Sequence, residues 1–380
     1  MEILERQRTE KASQLRPYVP GKLEKALLWV EANDPMTKIG PYNGFFIQYS
    51  YTGKPAGSGL AFGGGFRHDL FDRNARVVLE VGQSLRNYQM VRADFSLPWL
   101  LDGLLETGVE ANYRSHPQED FYGLGFDSSR DDRVNYKYSA PEFQGRVVVK
   151  PAEWLNAGAR FGRLNVSLGP GTDSRYPSAE EEFTDADAPG LTAQPDYNYQ
   201  DLFATLDTRD QPGNARDGLY LAALWRHYSD LDLDRYSFHR VDFEARHFLP
   251  IFDKKRVLAA RFHLMTTTAG DGQEVPFYFQ PTVGGGESFR STSDYRFRDR
   301  NVAVLNFEYR WEAFSGLDMA LFSDFATVAP TVSDLEFADV RGAYGIGLRF
   351  NTYKAVFFRV DVGAGGSEGV RIYVKYSRPF

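Results

Sequence analysis

From Gly40 onward, apolar and polar residues alternate along the chain with a period of two. Between residues 303 and 311 the odd positions are apolar or aromatic, whereas Asn306, Glu308 and Arg310 point the other way. Successive side chains of a β-strand point to opposite faces of the sheet. The alternation therefore predicts strands with one apolar and one polar face.

About sixteen such segments, a strand number typical of bacterial membrane barrels, lie between turn signals. They fall near residues 43–52, 58–68, 75–86, 89–98, 103–114, 133–149, 155–168, 197–208, 218–228, 236–248, 256–267, 301–311, 317–328, 341–350, 354–364 and 370–380. Short turns alternate with long connections, of which 268–300 is the longest. This pattern predicts an all-β fold, a transmembrane antiparallel β-barrel of about sixteen strands with short turns at one end and long loops at the other.

The polar faces of the predicted strands carry charges of both signs and many glycines. Such faces suit the lumen of a barrel better than the core of a soluble protein. A soluble sandwich or propeller is the alternative. However, no repeat of fixed period indicates propeller blades, and about sixteen long strands are too many for one sandwich.

Residues 1–40 have a different pattern. Leu23, Leu27 and Val30 recur at helical spacing, and Asn33-Asp34-Pro35 ends the helix. We therefore divide the chain into residues 1–40, an N-terminal amphipathic helix with a linker, and 41–380, the barrel. A plain linker and a helix that plugs or caps the barrel both fit this segment. The apolar stripe is too small to stabilise a helix alone in water, so we expect it to dock against the barrel or a partner.

The composition agrees with a barrel whose strands expose only alternate residues to lipid. Aromatic residues make up 15% of the chain and charged residues 25%, and the mean hydropathy is −0.44. The formal charge of −7 argues against nucleic-acid binding. The absence of cysteine excludes disulfides and thiolate chemistry. Residues 1–10 lack the apolar core of a secretion signal, which counts against export unless a signal has been removed.

The sequence offers little support for catalysis. Six histidines are scattered over predicted strands and loops, and no spacing assembles a serine, a histidine and a carboxylate. His239 and His247 are too far apart on one strand to share a metal ion. The glycine triplets at 63–65 and 284–286 lack the residues of a phosphate loop. We therefore expect no enzyme activity, no cofactor and no metal.

Four stretches carry a family resemblance. They are FYGLG at 121–125, DTRDQP at 207–212 followed by Gly218, GGGESFRSTSDYRFRDRN at 284–301, and LFSDFA at 321–326. Their order, together with a C-terminal aromatic residue, resembles the barrel domain of the bacterial surface antigen superfamily, which includes BamA and TamA. The resemblance covers about residues 40–380.

The resemblance implies that the long loop before the twelfth strand folds into the lumen as a lid. Arg290 matches the arginine at the loop tip, and Glu308 and Asp324 match the carboxylates of the inner wall. A guanidinium suits this position because its planar fork can bridge two carboxylates. Ser291-Thr292 departs from the Gly-aromatic pair of the family, and Ala326 departs from its motif glycine.

The last strand, 370–380, resembles the C-terminal signal of outer-membrane barrels. It places Tyr376 and Phe380 on the apolar face and Tyr373 on the opposite face. We assign these three tyrosine and phenylalanine residues to the strand that closes the barrel.

By resemblance, the chain is expected in the bacterial outer membrane, where it would act without catalysis in protein assembly, insertion or membrane remodelling. Its first and last strands would meet at a seam that opens towards lipid. About forty residues before the barrel are too few for a periplasmic POTRA domain and a linker, so the chain resembles the relatives that lack one. Expected partners are outer-membrane lipids, lipopolysaccharide and other outer-membrane or periplasmic proteins. A passive pore and a lipid-processing barrel enzyme are the alternatives.

Overall fold

A computed structural model describes residues 19, 21–33, 38–39, 43–48, 58–336, 339–352, 354–366 and 368–375. In these ranges an antiparallel sheet of 18 strands dominates, and a separate two-stranded ladder joins β14 to β15. The strands are β1 (Lys38–Ile39), β2 (Gly44–Gln48), β3 (Ala61–Leu70), β4 (Ala75–Ser84), β5 (Gln89–Leu100), β6 (Leu105–Phe121), β7 (Val134–Ala152), β8 (Leu155–Asn165), β9 (Ser167–Pro170), β10 (Asp196–Asp207), β11 (Gly218–Asp230), β12 (Phe238–Ile251), β13 (Arg256–Ala269), β14 (Thr282–Val283), β15 (Phe297–Arg298), β16 (Asn301–Phe314), β17 (Leu317–Ala329), β18 (Arg341–Asn351), β19 (Val356–Gly365) and β20 (Arg371–Lys375). The helices are α1 (Lys22–Asn33) and α2 (Ala179–Glu182), with single 3₁₀ turns at Phe277–Phe279 and Val332–Asp334.

Each strand of the barrel pairs with the next one along the chain. β9 continues β8 along the edge of β7, and β1 adds to β2, so the remaining sixteen strands of the sheet form consecutive antiparallel ladders from β2 to β20. The predicted antiparallel barrel of about sixteen strands is confirmed, as is the short N-terminal helix.

The alternation of the sequence becomes an outer apolar wall and an inner polar wall. On β16, for example, Phe307 is 43% exposed on the outside, whereas Glu308 on the inside is 2% exposed. Phe161 on β8 and Leu202 on the adjacent strand β10 also point outwards. Such a wall buries its apolar side chains only in a lipid bilayer. Within the described ranges, no helix has the length and hydropathy needed to cross a membrane.

Several tight turns at one end of the barrel place apolar side chains at the surface. Phe71, Leu101 and Phe252 each have a positive φ, in the left-handed region, and each is at least 70% exposed. Hairpin turns of this kind follow the twist of the flanking strands. The exposed Trp99 and Trp154 lie beside turns at the same end. Together these side chains form a girdle typical of a membrane interface.

The helix α1 contacts the barrel at this end. The Ser315 hydroxyl, in the turn between β16 and β17, donates a hydrogen bond of 2.6 Å to Glu24 Oε1. Leu27 packs beside the same turn, since a Cβ at Gly316 would lie 2.8 Å from its Cδ1 atom. Leu23 of the predicted apolar stripe remains exposed, and the side chain of Val30 lies outside the described part of the chain.

Candidate functional site in the barrel lumen

The connection between β13 and β16, residues 270–300, folds back into the barrel; we call it the lumen loop. Its base is the ladder that pairs Thr282 with Arg298 and Val283 with Phe297. Its tip, Phe289–Thr292, is almost completely buried. A chain segment of this length loses considerable conformational entropy when it is ordered, so strong contacts must hold it.

Arg290 supplies the strongest of these contacts. Its Nη2 and Nε atoms donate to the two carboxylate oxygens of Asp324, at 2.7 and 2.9 Å, and its backbone N–H donates to Oδ2 at 3.0 Å. Its Nη1 atom donates to Glu308 Oε2 at 2.9 Å. The guanidinium also lies 3.6 Å from the ring centroid of Phe322. One arginine of the loop therefore bridges carboxylates on β16 and β17.

Glu308 is the centre of a larger network. Besides Arg290, it accepts hydrogen bonds from Arg310 Nε at 2.9 Å and Arg349 Nη2 at 3.0 Å. Arg349 reaches on to Asp361 at 2.6 Å. All five of these side chains are at most 6% exposed. Since an unpaired buried charge is costly, each member depends on the others.

The loop comes close to the wall because β19 carries a glycine opposite its tip. A Cβ at Gly363 would lie 1.5 Å from the carbonyl oxygen of Arg290. The neighbouring Arg359 donates to Gly286 O at 2.8 Å and to Asp361 at 2.7 Å. Backbone approach and side-chain pairing therefore fix the loop from the same side of the barrel.

The lumen loop also contacts the last described strand. The Tyr373 hydroxyl donates to Thr292 O at 2.6 Å. Glu368, in the turn before β20, accepts from the backbone N–H of Ser293 at 2.9 Å and pairs with Arg296 and Arg371. Burial raises the pKa of Asp294, although Lys375 opposes this shift from 3.9 Å. The loop thus binds one side of the expected seam.

The wall formed by β6 and β7, on the other side of the lumen, carries ion pairs of the same residue types that are more exposed to solvent. Arg114 donates to Glu142 at 3.0 Å, and Lys150 donates to Glu106 at 2.6 Å. The Arg114 and Glu142 side chains are 34% and 9% exposed, whereas those of Arg290 and Asp324 are 3% and 0% exposed. The ion pairs on the two sides of the lumen therefore differ in solvent exposure and resemble each other in residue type.

The structure brings the predicted residues Arg290, Glu308 and Asp324 into direct contact. It places Tyr373 on β20 with its hydroxyl directed to the loop. Tyr376 and Phe380 lie outside the described residues.

Sequence reasoning missed five further members of the network. They share the inward parity of their strands, which is the signal that points to them, and they are Asn306, Arg310, Arg349, Arg359 and Asp361. The position of a residue in the alternating pattern predicts only whether its side chain faces the lumen or the lipid. Its partners in the lumen depend on where the loop contacts the wall.

In the ranges that the structure describes, no three histidine, aspartate or glutamate side chains are arranged to hold a metal ion. His227 and His239, which their spacing in the sequence does not bring together, face each other across β11 and β12 with ring centroids 4.3 Å apart. Trp225 stacks on the same pair. This cluster lies on the outer face of the wall, away from the lumen network.

Comparisons with known proteins agree with this geometry. In fold, the chain is similar to the crystal structure of BamA from Haemophilus ducreyi lacking POTRA domains 1–3, with a TM-score of 0.63 and 16% identity over 87% of this chain and 68% of that chain. It is also similar to CdiB from Acinetobacter baumannii (TM-score 0.53, 13% identity, 87% of this chain) and to CdiB from Escherichia coli (0.54, 11%, 88%). The chain spans 56% and 62% of the lengths of these two CdiB chains. No curated protein sequence matches it.

The model of the Omp85 superfamily domain matches residues 69–365, which include the lumen loop and both carboxylates that bind Arg290. This match covers more than half of the chain. The protein therefore belongs to the Omp85 superfamily and is a bacterial outer-membrane β-barrel.

Proposed function

We propose that this protein is a non-catalytic factor of outer-membrane protein assembly or membrane remodelling, in which the lumen loop is a lid and the first and last strands form a seam towards lipid. The observation that carries the proposal is the bridge from Arg290 to Asp324 and Glu308. A loop bound this tightly inside the lumen narrows any passage through the barrel, which favours this role over that of a passive pore.

The arrangement of the terminal strands supports the seam. β20 pairs with β19, and β2 pairs with β3 and, at Ile47 and Gln48, with the two-residue strand β1. Among the described residues, no ladder joins β2 to β20. The closure of a barrel between its first and last strands is where strand edges meet, so we propose this junction as the place for an incoming strand or for separation.

The loop contacts support a link between lid and seam. Tyr373 and Glu368 hold the loop tip to the β19–β20 hairpin. Arg290 holds the same tip to β16 and β17. Separation of β20 from β2 would therefore act on the loop through the short stretch from Arg290 to Ser293.

A disulfide scan tests the proposal, because the chain contains no cysteine of its own. Single cysteines at positions 44–48 are combined with single cysteines at 371–375, and the cross-linked variants are reconstituted in phospholipid vesicles. The measurement is the rate at which an unfolded eight-stranded barrel inserts into these vesicles, followed by its heat-modifiable gel shift. A cysteine pair at Val241 and Thr266, register partners on β12 and β13, is the matched control.

We expect the wild-type protein and the control cross-link to accelerate insertion. A cross-linked seam should abolish the acceleration, and reduction should restore it. Equal acceleration by the seam-locked and wild-type proteins would reject the seam, and no acceleration by the wild-type protein would reject the assembly role.

A further inference from the structure

The turn between β10 and β11, residues 208–217, is folded inwards beneath the lumen. In the tight turns at this end of the barrel, such as residues 252–255, the chain reverses within a few residues. Here ten residues separate the strands, and the central ones leave the wall. Ala215 is 5% exposed and packs with Phe248, Val257 and Ala259 of the inner wall.

The tip of this turn binds the far side of the barrel. The backbone N–H of Val356 donates to Gly213 O at 3.1 Å, and an isolated parallel bridge links Gly213 to Ala355. The buried side chain of Asn214 donates to Thr352 O at 2.7 Å. The partners lie in the turn between β18 and β19 and at the first residue of β19, several strands away around the barrel. The segment therefore reaches across the lumen.

Charged contacts fix the sides of the turn. Arg216 donates to Asp318 Oδ2 at 2.6 Å and to Lys254 O at 2.8 Å. Asp210 accepts the backbone N–H groups of Gln211, Arg216 and Asp217. Burial alone would raise the pKa of Asp210, but these hydrogen bonds and one from Lys254 lower it, so the carboxylate stays ionised near neutral pH.

We propose that residues 208–217 form a floor that closes the lumen at the end of the short turns, which face the periplasm in bacterial barrels. The barrel is then closed by two separate segments, the lumen loop and this floor. The floor explains the DTRDQP stretch, whose Asp210 organises the turn and whose Pro212 precedes the contact residue Gly213. Movement of the lumen loop alone would leave the lumen closed.

Two paired residues of the wall link the lumen loop to the floor. Arg310, which donates to Glu308 at 2.9 Å, also donates to Ala215 O of the floor at 3.5 Å. Glu308 in turn accepts from Arg290 of the lumen loop. The Glu308–Arg310 pair therefore connects the two segments, so a change in one can affect the other.

Gly213 offers a specific way to displace the floor. A Cβ at this position would lie 2.2 Å from the carbonyl oxygen of Lys354, a backbone atom that cannot move aside as a side chain would. Gly213→Ala should therefore push the tip from the β18–β19 turn. Gly169→Ala on β9 is the matched control, because a Cβ there meets nothing within 4 Å and the residue belongs to neither segment.

The test is single-channel conductance in planar lipid bilayers. The variants are G213A, a lid-shortened chain in which a Gly-Ser linker replaces residues 285–296, their combination, and the lid-shortened chain with G169A. We expect the wild type, both single variants and the G169A combination to remain nearly closed. The lid-shortened G213A chain should conduct at least about tenfold more than any of them.

Heat-modifiability of each variant establishes that its barrel is folded. The floor is rejected if the lid-shortened chain alone conducts within twofold of the combined variant, or if the folded combined variant stays closed. A second measurement needs only the single variant. Amide exchange at Val356 should be slow in the wild type and at least about tenfold faster in G213A, and equal rates would overturn the contact.

Discussion

The two sides of the lumen contain the same kinds of ion pair but place them in different surroundings. On the β16–β19 side the lumen loop covers Arg290 and its carboxylates, which lose nearly all exposure. On the β6–β7 side the side chains of Arg114, Lys150 and Glu106 are between 20% and 37% exposed. Because the residue types are the same, the burial of the pairs around Arg290 comes from the loop that covers them.

The energetic consequence follows from desolvation. A pair that water reaches is screened, and its removal costs about 0–1 kcal/mol. When one partner of a buried pair is removed, the other charge stays buried without a partner, and this costs about 3–5 kcal/mol. The comparison between the two walls can therefore be tested by matched substitutions.

The largest expected effect is that of Arg290→Ala. It leaves Asp324 without its principal cation and Glu308 with one cation fewer, so the free energy of unfolding should fall by about 3–5 kcal/mol. Arg114→Ala on the wet side should lower it by about 1 kcal/mol or less. Urea unfolding of the reconstituted barrels measures both values. Equal losses would contradict the distinction between the two walls.

Glu308→Gln should have an intermediate effect. The amide keeps the shape of the side chain but loses the charge that Arg290, Arg310 and Arg349 share. Loss of hydrogen bonds to charged groups predicts a decrease in unfolding free energy of about 1.5–3 kcal/mol. Glu106→Gln is the control, and it should change the same quantity by about 1 kcal/mol or less. A smaller loss for Glu308→Gln than for its control would refute the central place of Glu308.

The smallest expected effect is that of salt. Raising the ionic strength from 0.1 to 1 M shortens the screening length from about 10 Å to about 3 Å. The penalty of Arg114→Ala should then shrink towards zero, because water and ions reach this pair. The penalty of Arg290→Ala should change by less than about 0.5 kcal/mol, since buried pairs are screened much less. Unfolding curves at both ionic strengths measure the two penalties.

The sequence predicts the fold well because the residues of a barrel strand alternate between the lipid-facing and the lumen-facing side. The inward parity of Glu308 and the family motifs around Arg290 and Asp324 were sufficient to anticipate which residues meet. Arg349, Arg359 and Asp361 were recognisable only as polar positions. To predict how they pair, one must know the register of four neighbouring strands and the level along the barrel axis at which the loop contacts the wall. Neither can be read from neighbouring residues in the sequence.

The turn at 208–217 shows the same limit. Its motif predicts a turn, but the hydrogen bond from Asn214 joins residues 138 positions apart. Its direction, into the lumen, is set by tertiary packing of Ala215 and by the small side chain of Gly213. Local turn chemistry carries no information about either contact.

A desolvated bridge between Arg290 and the inner wall holds the lumen loop in place. A double-mutant cycle measures the strength of this bridge, with Arg290→Ala and Asp324→Asn measured singly and together and a parallel cycle for Arg114→Ala and Glu142→Gln. We expect a coupling of about 2–3 kcal/mol for the first pair and below about 1 kcal/mol for the second. A coupling near zero between Arg290 and Asp324, with both single variants folded, would show that the bridge does not hold the loop.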